Sequence, residues 1–423
     1  EILEMYNFTI DENTSVDIEL SVDPEMLGRI FENLLAEINP ETGETARKST
    51  GSYYTPRAIV EYMVDESLKN YLHSKTKVDL SKISSLLSYS NEKINLSTED
   101  SNKIIDALDN IKILDPACGS GAFPIGMLQK MLLILQKIDE KAEKWFTKKL
   151  AKIDNTFLRN EIKTKLENEN WNYIRKLGLI QDSIYGVDIQ TIAVEISKLR
   201  CFLTLVVDED INDKKKNRGV IALPNLEFKF VAADTLISLP KQDSQINLFD
   251  ASDYINKLQS LRTIYFESSG KDKLKIEEEF INTQKELSKV IAKNTLKDFR
   301  AIKLANWDPF KFEPSNWFEP EWMFGINKFD IIIGNPPYVQ LQSDGGKLSK
   351  LYDNEKYTTL VGRGDIYTLF YERGIELLCD KGILTFITSN KWLRAGYGEK
   401  LRNYMIDNSN PLWLIDFGGY QVF

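Results

Sequence analysis

The chain has 423 residues, 42% hydrophobic and 28% charged, a balance that excludes a disordered or fibrous polypeptide and allows a sizeable core with insertions. With 54 Lys and Arg against 63 Asp and Glu, the net charge of −9 excludes a surface matched throughout to a polyanion. One histidine, His73, and three scattered cysteines, Cys118, Cys201 and Cys379, exclude His-clustered metal sites, Cys-x-x-Cys zinc sites and a disulfide framework.

No run approaches the ~20 apolar residues of a membrane span, and the best, 125–135, is broken by Gln129 and Lys130. The first 23 residues are acidic and lack the apolar core of a signal peptide. A start at Glu1 without Met, and an end at Phe423 just after an apolar run, lead us to expect a piece of a longer protein.

Asp23-Pro24 opens an amphipathic helix in which Leu27, Ile30, Phe31, Leu34 and Leu35 recur at helical spacing, so residues 1–50 read as a helical connector. A polar loop over 39–52 leads to Tyr53-Tyr54-Thr55-Pro56, with Thr55 expected as the N-cap of a further helix and Pro56 at its first position. From Ile111 onward strands and helices alternate. Apolar runs at 113–115, 184–188, 228–234 and 329–335 each end in an acid or an amide, and two more strands are expected at 383–387 and 412–417. This alternation predicts an α/β fold with a doubly wound, mostly parallel sheet. Two helical insertions interrupt it, at about 137–176 and 250–300. In the second, Tyr254, Leu258, Leu261 and Tyr265, then Ile276, Phe280, Leu287 and Ile291 after a break at Ser268-Ser269-Gly270, read as a helical hairpin forming a solvated prop on the core.

The first chemical signal is Asp115-Pro116-Ala117-Cys118-Gly119-Ser120-Gly121. A strand delivers a carboxylate, Gly119 and Gly121 permit close backbone approach, and Pro124 starts a helix whose N-terminus favours an anion. The pattern does not match G-x-G-x-x-G, and a structural turn would also account for it. The series Asp115, Asp188, Asp234 and Asn335 is more telling, because strand ends of a doubly wound sheet share the edge where ligands bind. Asp188 is placed for ribose hydroxyls and Asp234 for an adenine amino group. The second signal is Asn335-Pro336-Pro337-Tyr338 at the end of a buried strand. Two prolines fix the backbone and remove two N–H donors, leaving an acceptor array of the Asn335 side-chain carbonyl and the Pro336 carbonyl beside the Tyr338 ring. Such an array suits a planar, conjugated amino group.

The ordered set Gly51 to Pro56, Asp115 to Phe123, Gly186-Val187-Asp188, Ala233-Asp234 and Asn335 to Tyr338 resembles the N6-adenine DNA methyltransferases. Within them it is similar to the TaqI-like group and the large type IIG restriction–modification enzymes, and agreement continues through 364–370, 382–393, 416–419 and 422–423. The resemblance implies the S-adenosylmethionine-dependent methyltransferase fold over 51–423, S-adenosylmethionine as cofactor, double-stranded DNA as partner, no metal for methyl transfer, and a bacterial or archaeal cytoplasm. It implies that Thr55 and Ala117 border the methionine part, with Asp115 near its amino group, and that Tyr54, Pro56, Gly119 and Gly121 also bind the cofactor. Asp188 and Ile189 would hold the ribose and one adenine face, Asp234 and Thr235 the adenine edge, and Pro337 and Phe370 the ring. Asn335 and Pro336 would bind the target amine, with Tyr338 and Phe423 stacking on the flipped base. The aromatic stretch Trp307, Phe310, Phe312, Trp317, Phe318, Trp322 and Phe324 is expected to pack beneath the catalytic strand. A target-recognition domain and any nuclease domain would lie outside this chain. The polar, glycine-containing loop over 339–364 is expected to act as a mobile lid. An N5-glutamine protein methyltransferase, an N4-cytosine DNA methyltransferase and a non-catalytic methyltransferase-like DNA-binding scaffold remain as alternatives.

Overall fold

Strands buried on both faces read as unbroken apolar runs, and in the computed structural model three such runs form the middle of the sheet. The structure describes residues 55–90, 94–151, 171–207, 223–239, 248–292, 299–418, 420 and 422. Helices α1 (Arg57–Thr76), α2 (Leu80–Leu87) and α3 (Thr98–Asn110) precede β1 (Ile113–Asp115). Between β1 and β2 (Ile184–Asp188) come α4 (Ala122–Ile138), α5 (Glu143–Ala151) and α6 (Trp171–Asp182). Helix α7 (Thr191–Val206) leads to β3 (Phe230–Ala232), followed by the hairpin α8 (Leu248–Glu267) and α9 (Gly270–Ala292), then α10 (Phe299–Asn306) and α11 (Pro320–Met323). After β4 (Phe329–Gly334) come α12 (Ser343–Asp353), α13 (Tyr367–Leu377), β5 (Leu378–Phe386) and α14 (Glu399–Asn408).

The sheet order is β3-β2-β1-β4-β5 with every neighbouring pair parallel. Connections run one way from β1 through β2 to β3 and the other way from β4 to β5, so the crevice at the carboxyl ends opens between β1 and β4. Register brings the functional ends level: Asp115 lies opposite Gly186, Asp188 opposite Ala232, and Leu114 opposite Ile332. Alternate strand residues serve opposite faces. Ile113, Ile184, Ile331 and Ile333 join a core built on α1 to α7. Leu114, Val187, Val231 and Ile332 join a second core that includes the hairpin, the aromatic stretch and α13.

Several sequence expectations need correction. The run 412–417 is not a strand. Leu412, Trp413, Leu414, Ile415 and Phe417 are 42–63% exposed, and among the described residues no strand pairs with them, so hydrophobicity has no ladder to join. β5 starts at Leu378 opposite Phe329 and resumes opposite Ile331 at Ile383, so 383–386 is only its regularly paired half. β3 is shorter than 228–234, although an Ala233–Ser315 bridge extends its line. The hairpin is present as expected and rests on the second core: Leu258, Leu261, Tyr265, Phe280, Leu287 and Ile291 are buried, and Gln284 Nε2 donates to the carbonyls of Leu304 and Trp307 at 2.6 Å each. Of the aromatic stretch, Phe312 is 63% exposed and outside the core, whereas Trp307, Trp317, Phe318, Trp322 and Phe324 are buried beneath β4. The helix expected from Asp23, the 1–50 connector, the 39–52 loop and the middle of the first insertion lie outside the described residues. Among the described residues no helix is long and apolar enough to cross a membrane.

Candidate functional site

β1 ends in Asp115, which is 1% exposed. Its Oδ1 accepts the Ala117 N–H at 3.1 Å, and among the described residues its buried Oδ2 has no hydrogen-bond partner. The next strand inward along the crevice makes room for it. A Cβ on Gly334 would lie 2.7 Å from Asp115 Oδ1, so only glycine lets the end of β4 pass this carboxylate. The Asn335-Pro336-Pro337-Tyr338 turn therefore begins directly against Asp115.

The loop after β1 is pinned from several sides. Cys118 N–H donates to the Val187 carbonyl at 2.8 Å and Gly119 N–H to Asp188 Oδ2 at 2.9 Å. Gly119 and Gly121 have φ of 51° and 81°, which glycine alone adopts without strain. Ser197 Oγ donates to the Gly119 carbonyl at 3.0 Å, and Arg200 Nη1 to that of Ser120 at 2.9 Å, both from α7. Helix α4 begins at Ala122 with Gly121 as its cap, two residues before the expected Pro124.

Asp188 closes β2, and its second oxygen accepts the Gln190 N–H at 2.9 Å. Ile189 beside it is an exposed apolar residue, at 57%. Beyond β3, Asp234 accepts from Leu236 N–H at 3.0 Å and from the Tyr352 phenol at 3.1 Å. Thr235 follows it, and its buried hydroxyl donates to the Pro116 carbonyl at 2.7 Å and braces the β1 loop. Burial pushes all three acids, Asp115, Asp188 and Asp234, above the ordinary carboxylate value. Among the described residues no Lys or Arg forms an ion pair with any of them, so the edge is suited to a cationic ligand. Burial and the neighbouring acids push the Cys118 thiol up as well, which keeps it an unreactive packing group.

At the end of β4, Asn335 Nδ2 donates to Thr55 Oγ1 at 3.1 Å, while Asn335 Oδ1 is shielded from solvent. Thr55 is thus not the N-cap predicted for α1. Pro56 takes that position, with its carbonyl receiving Ile59 and Val60 N–H, and the Thr55 hydroxyl is spent on the turn instead. Pro336 is buried and Pro337 half-buried. The Tyr338 hydroxyl donates to the Ile387 carbonyl at 3.1 Å, and its ring stands 6.0 Å from that of Tyr367, tilted by 59°. Phe370 is buried on α13. The crevice therefore gathers Thr55, Asp115, Asp188, Asp234 and Asn335, with Ile189 and Pro337 along it. Tyr54 and Phe423 lie outside the described residues.

Sequence reasoning missed Tyr352, Ser197, Arg200, Glu372 and Arg373. Glu372 accepts the N–H groups of Thr358 and Thr359, and Arg373 Nε donates to the Thr235 carbonyl at 3.1 Å. The only signal available was the adjacent charged pair Glu372-Arg373 within the mainly apolar stretch 366–378. The 339–364 segment is not a loop throughout. It contains α12, and Leu341 N–H to Gly364 and Ile366 N–H to Val339 tie its two ends together.

The Eco57I restriction-modification methylase family model matches residues 182–423. A Methanocaldococcus jannaschii protein assigned as a type II restriction enzyme and methyltransferase is 26% identical over 95% of this chain and 36% of its own length. A type II methyltransferase of Geobacillus stearothermophilus is 33% identical over 24% of this chain and 20% of its own length. A type II restriction enzyme and methyltransferase of Escherichia coli is 36% identical over 24% of this chain and 11% of its own length. The chain thus spans little more than a third of the first relative and a fifth or less of the other two.

Proposed function

Because the chain belongs to the Eco57I restriction-modification methylase family, we propose that its site transfers a methyl group from S-adenosylmethionine to the N6 amino group of adenine in DNA. In this reading it is the modification part of a longer protein of the type IIG kind, with double-stranded DNA as its substrate. The observation that carries the reading is the meeting of two strand ends, where the acceptor turn at Asn335 follows a glycine that leaves 2.7 Å between an added Cβ and Asp115 Oδ1.

The residues present suit this cofactor. Asp115 offers to an ammonium group a buried Oδ2 that has no partner among the described residues, Asp188 accepts from ribose hydroxyls, and Asp234 accepts from the adenine amine. Ile189, Pro337 and Phe370 supply apolar surface for the purine. When bound, S-adenosylmethionine supplies a methyl group made electrophilic by its sulfonium.

A target base must leave the helix to reach such a turn, and the Tyr338 ring offers it a stacking face. The Asn335 and Pro336 carbonyl oxygens accept the two amine hydrogens. Doing so draws the nitrogen toward tetrahedral geometry and frees its lone pair for attack. Thr55, by engaging Asn335 Nδ2, holds the amide in this orientation. The extra proton passes to water after transfer, so no general base is assigned. His73 is occupied elsewhere, with Nδ1 at 2.7 Å from the Val78 carbonyl.

Asn335→Ala in the full-length protein is the test, with a labelled methyl donor and DNA offering adenine or cytosine as the only acceptor amine. Loss of a preorganised acceptor in a water-excluded site costs roughly 10²–10³ in turnover, while cofactor affinity stays near that of the wild type. Near-wild-type turnover in Asn335→Ala, or label entering cytosine in preference to adenine, would overturn the proposal.

A further inference from the structure

Asp234 is held by a distant part of the chain. Tyr352, 118 residues further on, lies on α12 between the catalytic turn and α13, and its phenol donates to Asp234 Oδ2 at 3.1 Å. Both groups are buried, at 3% and 7% exposure. Two further contacts join the same segment to the same loop. Tyr357 O–H donates to the Leu236 carbonyl at 2.7 Å, and Glu355 Oε2 accepts from Ser238 N–H and Oγ at 3.1 and 3.0 Å. The 343–357 segment is therefore a strap laid across the loop after β3.

Packing alone would be served by phenylalanine at position 352. A buried hydroxyl is costly unless it finds a partner, and here the partner is a carboxylate at the ligand edge. With the Leu236 N–H on one oxygen and the Tyr352 O–H on the other, the carboxylate plane cannot rotate. Each oxygen keeps a second lone pair in a fixed direction.

We propose that Tyr352 is a positioning residue for cofactor recognition. It aims the Asp234 carboxylate at the purine amino group, and so makes the strap after the catalytic turn part of the selection of adenine over a 6-oxo purine. This rests on the reading that Asp234 accepts from the adenine amine. A 6-oxo purine presents an acceptor where adenine presents a donor, so a fixed carboxylate repels it, whereas a loose one can turn away.

The test compares two probes by calorimetry in the full-length protein: S-adenosylhomocysteine and its inosine analogue. The wild type is expected to prefer the amino compound by roughly 10–100-fold. Tyr352→Phe is expected to lower that preference by roughly 3–10-fold, chiefly by weakening the amino compound. Binding of the inosine analogue that is unchanged or tighter then reports an intact fold. Glu355→Ala loosens the same strap but leaves both hydrogen bonds to Asp234 in place, and is expected to keep the wild-type preference. A wild type without preference would defeat the Asp234 reading, and the inference with it. A wild-type preference retained in Tyr352→Phe, or lost equally in Glu355→Ala, would defeat the inference alone.

Discussion

Gly334→Ala tests the contact on which the site is built. The added Cβ would lie 2.7 Å from Asp115 Oδ1 and 3.5 Å from both Asp115 Cγ and Pro116 Cδ. An ordinary carbon–oxygen contact needs roughly half an ångström more or better. Asp115 has little room to yield, since it is 1% exposed and its Oδ1 is tied to Ala117 N–H. Overpacking of this kind costs about 1–3 kcal/mol. The expected result is a lower urea midpoint with an unchanged slope, and a loss of S-adenosylmethionine affinity of about tenfold as the carboxylate is pushed aside. A double-mutant cycle isolates the cause. In an Asp115→Ala background the clashing atom is absent, so Gly334→Ala should cost less than about 0.5 kcal/mol. If the two substitutions were additive to within that margin, the strain would not lie between Gly334 and Asp115, and the reasoning would fail.

Asp188→Ala removes the acceptor for Gly119 and Gln190 N–H as well as the proposed ribose contact. Cofactor binding should weaken by about 1.5–3 kcal/mol, and a calorimetric affinity equal to the wild type would contradict the assignment. The pH dependence of the ligand-free protein follows from the three acids, each raised by burial above the ordinary 3.8. Between 3.8 and the raised values the folded state binds more protons than the unfolded state. Their contribution is therefore fully present below 3.8 and lost as pH rises through the folded values. Asp115→Asn should flatten this part of the melting profile relative to the wild type, and an unchanged slope would show that Asp115 is not its source.

What could be read in the sequence and what could not divides along physical lines. Asp115, Asp188 and Asn335 each close an apolar run, and the run itself marks where the sheet edge falls. The hairpin was legible because Leu258, Leu261, Phe280 and Leu287 keep one face over many turns. The Tyr352–Asp234 bond spans 118 residues and has no local signature, and the Thr55 hydroxyl looked like a cap because capping needs only neighbours in sequence. The 412–417 run shows the converse limit. Its composition is that of a strand, but strandedness belongs to a pair and not to a segment.

The anchoring of residues 118–120 to β2 and α7 has a consequence for affinity. Fixing a backbone residue costs roughly 1–2 kcal/mol of conformational entropy. A loop that closed only around its ligand would subtract that amount, for each of its residues, from the free energy of association. Here the Val187, Asp188, Ser197 and Arg200 contacts set the loop as the chain folds. Three residues fixed in advance correspond to roughly 3–6 kcal/mol, or about two to four orders of magnitude in dissociation constant. The proposed cofactor would then meet a rigid mould, and what it gains from each contact is not spent on ordering the protein.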